Sequence, residues 1–210
     1  MSASLVHLIR HGEVDNPHPV VYADLPGYGL SERGFAQAEA ASARLRDHDV
    51  RLVLTSPLLR AEQTAAAIAA GHGLQLTYDD RLLEWGGGIR WAGVRWEQLD
   101  EVFPGELAAY LETPLDLPFP TEPMLDCGAR VAAAVRDAAA GLADGELVVV
   151  SHQDPIHAGA LDLAGVQPTA YHADKPNHAG IVSLRPAPGP WEKLGYWEPD
   201  QGPGFPPINE

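Results

Sequence analysis

A short apolar run in the stretch Leu5–Glu13, LVHLIRHGE, leads directly into Arg10, His11 and Gly12. The run predicts a first strand at Leu5–Ile9, and Gly12 lets the backbone turn sharply and approach a bound anion. Ligands of open α/β sheets bind beyond the carboxyl ends of the strands, so His11 is well placed to act on one. Taken alone, however, His11 would more simply be a solvated or core histidine.

Downstream of this stretch, short β-rich runs alternate with longer helical patterns. This alternation predicts an α/β fold with a mainly parallel central sheet. The predicted strands are Leu5–Ile9, Leu52–Thr55 and Leu147–Val150, with Ile181–Leu184 and Lys193–Trp197 as weaker candidates at an edge. The predicted helices run from Ser31 to Leu45, from Ser56 to about Ala70 and from about Leu125 to Leu142. Ser31 and Ser56 are the predicted N-caps, with Pro57 at the first helical position.

Length and composition favour one domain. The 210 residues are 45% hydrophobic and 20% charged, which suits a single domain over residues 1–210, with or without a small cap. The stretch 85–120 interrupts the alternation with three consecutive glycines and three tryptophans. It is interpreted either as a lid over a site or as a connection whose tryptophans fill the core. The Pro- and Gly-rich segment 199–210 predicts an extended tail.

Charge and cysteine content narrow the partners and the location. A formal net charge of −15 argues against nucleic acid or an anionic membrane as a partner. The single cysteine, Cys127, excludes an internal disulfide and a Cys-based zinc cluster, and is interpreted as a packed small hydrophobe. The sequence shows neither a signal peptide nor a membrane-spanning run, so the expected location is cytoplasmic. The oligomeric state stays open, with a homodimer as one alternative.

Three further residues follow predicted strands or lie in a nearby loop. Arg60 comes one turn after the second strand, Glu84 lies in Leu82-Leu83-Glu84, and His152 precedes a helix whose free N–H groups could hold a phosphate. Singly, each has a structural interpretation: a surface ion pair, a solvated loop charge and a capping or buried histidine. Together with Arg10 and His11 they form the set of two Arg, two His and one Glu that phosphoryl transfer through a histidine requires.

At these positions the sequence resembles the histidine phosphatase superfamily, the phosphoglycerate mutase-like family. The resemblance runs from Leu5 to about Glu84 and resumes from Val148 to Ile156, and it implies a three-layer α/β/α sandwich. The matching segments are Arg10-His11-Gly12-Glu13, Leu30–Gly34 with Gln37-Ala38, Ser56-Pro57-Leu58, Arg60-Ala61 and Gln63-Thr64-Ala65.

The resemblance implies a mechanism that suits these side chains. Neutral His11 would attack phosphorus and form a phosphohistidine, while Arg10, Arg60 and His152 would hold the nonbridging oxygens. Glu84 would protonate the leaving oxygen and then deprotonate the attacking water. The expected activity is therefore metal-independent hydrolysis of a small phosphorylated substrate, with no cofactor.

The chain departs from the family pattern after the second histidine, where Gln153-Asp154 replaces the usual Gly-Gly. Gln153 can still offer its backbone N–H to a phosphate, as Gly12 can at the first motif. Asp154 would bring a negative charge near an anionic ligand. Three outcomes are open: Asp154 points away, selects an unusual substrate, or weakens turnover.

Phosphatase activity is favoured over mutase activity by the stretch 85–120. Its only cations are Arg90 and Arg95, which are taken as candidate substrate-binding residues beside three acidic residues and three tryptophans. Such a surface suits a phosphomonoester with a sugar, aromatic or other organic leaving group better than a compact polyanion. The alternatives are a phosphoglycerate mutase-type phosphotransferase and a non-catalytic relative that binds phosphorylated ligands.

Overall fold

A computed structural model describes residues 2–167 and 170–199 of the chain. The predicted tail, 199–210, lies outside the described residues beyond Pro199. The strands are β1 (Leu5–Arg10), β2 (Val50–Thr55), β3 (Leu76–Tyr78), β4 (Glu146–Ser151), β5 (Ile181–Arg185) and β6 (Glu192–Trp197). The α-helices are α1 (Glu32–Leu45), α2 (Leu59–His72), α3 (Gly86–Arg90), α4 (Leu99–Val102), α5 (Glu106–Glu112), α6 (Met124–Gly141) and α7 (Gln153–Ala164). Two 3-10 helices span Asp80–Leu82 and Trp96–Gln98.

The strands form one sheet in the order β3-β2-β4-β1-β5-β6. Strands β1 to β4 are mutually parallel, whereas β5 runs antiparallel to β1 and β6 antiparallel to β5. The predicted mainly parallel α/β fold is thus confirmed. The placement of Ile181–Leu184 at an edge is wrong, because β5 is hydrogen-bonded on both sides, to β1 and to β6.

Two apolar clusters cover the two faces of the sheet. Alternate residues of β1 point to opposite sides, with Val6 and Leu8 in one cluster and Ile9 in the other. The first cluster includes side chains of α6 and α7, and the second includes side chains of α1 and α2. This arrangement is the three-layer α/β/α sandwich.

A backbone contact between two glycines fixes the turn after β1. A Cβ at Gly12 would lie 2.5 Å from the Gly34 carbonyl oxygen, and one at Gly34 would lie 2.0 Å from the Glu13 carbonyl oxygen. Ser31 caps α1 as predicted: its hydroxyl accepts from the Gly34 N–H (3.0 Å) and donates to a Glu13 carboxylate oxygen (2.7 Å). The Leu30–Gly34 motif therefore holds the loop that carries His11 against α1.

Helix α2 begins later than the sequence predicts. Its N-cap is Leu58 and not Ser56, and the helix starts at Leu59. The Ser56 hydroxyl instead lies 2.9 Å from Nε2 of His152, across at the end of β4. This contact takes the side chain that would otherwise cap the helix, and it leaves Arg60 in the first turn of α2.

The stretch 85–120 contributes α3, α4, α5 and the Trp96–Gln98 3-10 helix. Trp85 and Trp91 are each only 2% exposed, and the ring of Tyr110 stacks on Trp85 at 5.5 Å between centroids. These two tryptophans fill a core, as one interpretation proposed, whereas Trp96 is 47% exposed. A lid motion of this segment stays a prediction.

Two further sequence expectations concern Cys127 and the membrane. Cys127 is fully buried beside Trp85 and Met124, as expected for a packed hydrophobe. Across residues 2–167 and 170–199, every helix falls short of the length or the apolar character that crossing a membrane would need.

Candidate active site

The carboxyl ends of β1, β2 and β4 lie side by side and open into one pocket. The structure brings together there the five residues that the sequence singles out for catalysis: Arg10, His11, Arg60, Glu84 and His152. The rings of His11 and His152 are 5.3 Å apart between centroids. The pocket is lined by Arg10, His11, Val21, Tyr22, Ala23, Glu84, Trp85, Gly88, Trp91, Trp96, Tyr110, Gln153 and Asp154.

His11 is held as a neutral imidazole with one defined tautomer. Its Nδ1 lies 2.7 Å from the Gly12 carbonyl oxygen, which can only accept, so the ring proton sits on Nδ1. Nε2 then carries the lone pair and accepts a hydrogen bond from Nε of Arg60 at 3.2 Å. Burial, together with Arg60, holds the pKa of His11 well below its usual value of 6.5. The imidazole is therefore ready to act as a nucleophile at neutral pH.

The two arginines are buried beside this ring. Arg60 donates from Nη2 to the Ala23 carbonyl, and its guanidinium lies 4.7 Å from the ring centre of Tyr22. Arg10 donates from Nη1 to the Pro176 carbonyl (3.2 Å) and from Nη2 to Nε2 of His178 (2.9 Å). Its Nε–H has no hydrogen-bond partner among the described residues. A buried, unsatisfied guanidinium donor is well suited to an anionic oxygen.

His152 supplies a second unsatisfied nitrogen. Its Nε2 contacts the Ser56 hydroxyl, and that hydroxyl oxygen already accepts from the Leu58 N–H at 3.4 Å. When the Ser56 hydroxyl donates to Nε2, the ring proton of His152 lies on Nδ1. Nδ1 has no hydrogen-bond partner among residues 2–167 and 170–199, and it lies 3.8 Å from Oε2 of Glu84. Burial, with Arg60 nearby, holds the pKa of His152 well below its usual value.

Glu84 lies across the pocket from Arg60 and His152. Its Oε1 accepts from the Trp85 N–H at 2.9 Å, and its Oε2 lies 3.9 Å from Nη2 of Arg60. Burial raises the pKa of Glu84 above its usual value; Arg60 opposes this shift and Asp154 adds to it. A raised pKa keeps this carboxyl group protonated to a higher pH than an ordinary Glu, which favours its use as a general acid and base.

Asp154 does not leave an uncompensated charge beside the ligand. Its carboxylate lies 2.6 Å from Nζ of Lys175 and accepts from the Tyr110 hydroxyl at 2.9 Å. Lys175 also donates to the Tyr110 oxygen at 2.7 Å. Although burial would raise the pKa of Asp154, Lys175 and Tyr110 hold it below its usual value. The departure at Gln153-Asp154 thus comes with its own counterion.

The comparisons with known proteins agree with this arrangement. Residues 6–198 match the histidine phosphatase superfamily (branch 1). The chain belongs to this superfamily. Phosphoserine phosphatase 1 of Hydrogenobacter thermophilus is 30% identical over 160 residues, which are 76% of this chain and 75% of that protein. The 2,3-bisphosphoglycerate-dependent phosphoglycerate mutase of Thermoplasma acidophilum is 31% identical over 152 residues, or 72% of each chain.

A solved structure is similar along nearly the whole length. The mycobacterial glucosyl-3-phosphoglycerate phosphatase complexed with VO3 superposes with a TM-score of 0.82 at 27% identity, over 93% of this chain and 98% of that one. A phosphohistidine mechanism is typical of the histidine phosphatase superfamily. The family match over residues 6–198 and the phosphatase relatives together identify this chain as a metal-independent phosphoric monoester hydrolase.

Two of the predicted substrate-binding residues of this histidine phosphatase lie away from the pocket. Arg90 forms an ion pair with Glu106 (3.0 Å), and Arg95 forms one with Glu97 (3.1 Å). Both arginine side chains are exposed, and neither lines the pocket. Gln153 lines the pocket at the start of α7, whereas the Gly12 N–H donates to the Thr64 hydroxyl (3.0 Å).

Several residues of the site were missed by the sequence reasoning. His178 accepts from Arg10, and its ring lies 5.8 Å from that of His11. Lys175 neutralises Asp154 from a loop far along the chain. Tyr22 lines the pocket in the segment after the first motif. The nearest signal in the sequence is the run Lys175–Gly180, just before a predicted strand. The lysine and the histidine of this run are not among the predicted site residues.

Arg130 positions the loop that carries Glu84. It donates to the backbone carbonyls of Arg81 (2.7 Å), Leu83 (2.9 Å) and Glu84 (3.1 Å), and it pairs with Glu122. The Glu122 carboxylate in turn accepts from the Gly86 N–H at 3.0 Å. One guanidinium therefore fixes the backbone on both sides of the acid/base residue.

Arg130→Met is expected to lower the free energy of unfolding by about 3 kcal/mol, because a partly buried carboxylate and three carbonyls lose their donor. Urea titration measures this loss, and the rate of phosphate release should also fall. Arg136→Met is the matched control, since Arg136 lies on the same helix and makes an exposed pair with Asp162. That variant should lose no more than about 0.5 kcal/mol. Equal losses in the two variants would contradict the positioning role.

Proposed function

We propose that this chain hydrolyses small phosphomonoesters of uncharged organic alcohols, through a phosphohistidine on His11. The observation that carries the proposal is a pair of buried nitrogens without hydrogen-bond partners: Nε of Arg10, which lines the pocket with His11, and Nδ1 of His152, whose ring lies 5.3 Å from that of His11. Buried donors of this kind are costly unless an anion satisfies them. A phosphoryl group is the anion that fits a neighbouring nucleophilic imidazole.

In the first step, Nε2 of His11 attacks phosphorus and the bond from phosphorus to the leaving oxygen breaks. The hydrogen bond that Nε–H of Arg60 donates to His11 shifts to a nonbridging oxygen, and Arg10 and His152 donate to the other nonbridging oxygens. Protonated Glu84 gives its proton to the leaving alcohol. The charge developing on the oxygens is met by groups already in place, so little reorganisation is needed.

In the second step, the Glu84 carboxylate takes a proton from water, and the resulting hydroxide oxygen bonds to phosphorus. The phosphorus–nitrogen bond breaks, which releases inorganic phosphate and restores neutral His11. Glu84 ends the cycle protonated, as it began. Acid and base roles thus alternate on one carboxyl group, which the raised pKa of Glu84 supports.

The leaving group would occupy the aromatic side of the pocket. Trp85, Trp91, Trp96 and Tyr110 line that side. Among the described residues that line the pocket, Arg10 is the one Lys or Arg, and Lys175 nearby forms an ion pair with Asp154. The acidic groups facing the leaving group are Glu84 and Asp154. This balance favours a sugar, an aromatic or another uncharged alcohol over a compact polyanion, and hence hydrolysis over mutase chemistry.

The test measures phosphate release in the presence of a chelator. It compares a panel of phosphomonoesters that have uncharged leaving groups with 3-phosphoglycerate. We expect kcat/KM for the best uncharged ester to exceed that for 3-phosphoglycerate by at least about 10-fold, or about 1.4 kcal/mol. Asp154→Asn should narrow this gap, because Lys175 would then be free to meet a carboxylate. A preference for 3-phosphoglycerate in the wild type would overturn the substrate class, and absence of release from every ester would overturn the hydrolase.

A further inference from the structure

A second cluster of chemically reactive side chains lies at the opposite end of the sheet from the pocket. His7 is on β1, His48 lies between α1 and β2, and Glu146 is the first residue of β4. The proposed mechanism uses none of them. Because the three come from segments far apart in sequence, the fold itself brings them together.

The three side chains converge closely. Nε2 of His7 lies 2.9 Å from Oε2 of Glu146, and Nδ1 of His48 lies 2.7 Å from the same oxygen. One nitrogen from each imidazole and one carboxylate oxygen all lie within 4.8 Å of one another. Within residues 2–167 and 170–199, this is the one group of three or more His, Cys, Asp or Glu side chains with that spacing.

The surroundings orient these groups. Nδ1 of His7 lies 2.9 Å from the Ser183 hydroxyl on β5, so both ring nitrogens of this buried histidine have partners. The N–H of Glu146 bonds the Asp49 carbonyl at 2.8 Å, which ties the loop of His48 to the start of β4. A histidine whose second nitrogen is hydrogen-bonded, and a loop anchored beside it, are the supports found around metal ligands.

Access and ligand type also fit an ion. The side chain of His7 is 2% exposed, that of Glu146 13% and that of His48 26%, so an ion could enter on the His48 side. Two imidazole nitrogens and one carboxylate oxygen are a ligand set that zinc accepts, with water in the fourth position. Zinc bonds of roughly 2.1 Å in tetrahedral geometry place ligand atoms about 3.4 Å apart. That spacing lies between the hydrogen-bond distances from the two imidazoles to Glu146, 2.9 and 2.7 Å, and the 4.8 Å within which all three ligand atoms lie.

We propose that His7, His48 and Glu146 form a binding site for a zinc-type divalent transition metal ion, separate from the phosphatase centre. On binding, the ion replaces the two contacts to Glu146, and the ring proton of His7 resides on Nδ1, where the Ser183 hydroxyl accepts it. The ion joins β1, β4 and the loop before β2. It stabilises the folded chain by mass action and takes no part in phosphate release.

The experiment titrates the full-length, chelator-treated chain with zinc chloride, by calorimetry and by thermal unfolding. We expect binding of one ion at the site and a rise in Tm. His48→Ala and Glu146→Gln should each weaken the affinity at least about 10-fold, the lower end of what even an indirect support of a metal contributes. His18→Ala is the matched control, because it removes an exposed imidazole from another loop and should leave the affinity unchanged.

The folded state of each variant is checked by phosphate release in chelator, which should equal that of the wild type. Three results would overturn the proposal: no saturable zinc binding, equal affinity in the wild type and both ligand variants, or equal weakening in His18→Ala. Zinc that still binds His48→Ala and inhibits phosphate release would also overturn it, because the ion would then be held by the catalytic histidines.

Discussion

His11→Ala is expected to reduce phosphate release by at least about 10⁴-fold, the scale of loss when a covalent nucleophile is removed. In the wild type, the Gly12 carbonyl fixes the lone pair of His11 on Nε2, and Nε of Arg60 lies beside that nitrogen. The alanine variant retains Arg10, Arg60 and His152, so phosphate should still bind. Steady-state assays give the rate, and rapid quenching at alkaline pH should trap an acid-labile phosphoenzyme in the wild type alone.

His178→Ala provides the matched control for this loss. It removes a second imidazole, a half-buried one, from the same cluster, and Nε2 of that ring accepts a hydrogen bond from Arg10. Its effect should stay near the ~10-fold expected for loosening one binding group. A phosphoenzyme that still forms in His11→Ala would refute the nucleophile assignment.

Glu84→Gln is expected to reduce kcat by about 10²- to 10³-fold for an alkyl phosphate, which has a poor leaving group, in line with the loss of a general acid. For p-nitrophenyl phosphate, whose leaving group needs no proton, the formation of the phosphoenzyme should slow by less than about 10-fold. The amide oxygen of Gln can still accept from the Trp85 N–H, so the loop should be retained. Burst kinetics on both esters separate the two steps. Equal losses of phosphoenzyme formation with both esters would exclude Glu84 as the acid.

The same variant carries a pH signature. Burial raises the pKa of Glu84, so the carboxyl stays protonated to a higher pH than an ordinary Glu. Phosphoenzyme formation from an alkyl phosphate should therefore fall as pH rises through that raised pKa, and this alkaline limb should vanish in Glu84→Gln. The neutral form of His11, whose pKa is held low, should keep the acidic limb well below pH 6.5.

The sequence predicted the central sheet and the five converging side chains because both follow local rules. Continuous apolar runs marked β1 and β4, and the residues directly after them fell at one edge of the sheet. Residues such as Arg130 and Lys175 obey no such rule. Each acts across a long sequence separation, on the carbonyl of Glu84 and the carboxylate of Asp154 respectively. The hydrophobic periodicity of the sequence carries no signal for a side-chain contact between residues so far apart in the chain.

Two differences between the sequence predictions and the structure have a similar origin. Ser56 looked like a helix cap because Pro57 follows it, but its hydroxyl contacts His152, the N-cap residue of α7, and the N-cap of α2 is Leu58. Arg90 and Arg95 looked like ligands because they were the cations of their segment, but each has an acidic neighbour that pairs with it. In both cases the sequence pattern is present, but a hydrogen-bond or ion-pair partner gives the side chain a different role in the fold.

The close approach of Gly12 and Gly34 bears on how the enzyme uses binding energy. Because backbone packs directly on backbone here, the loop of His11 has little room to change its conformation. The conformational entropy of the loop is therefore lost when the chain folds and not when a substrate binds. A substrate that arrives need not order the nucleophile, and its intrinsic affinity can go into reaching the transition state. The position of the catalytic imidazole is thus set when α1 packs against the loop after β1.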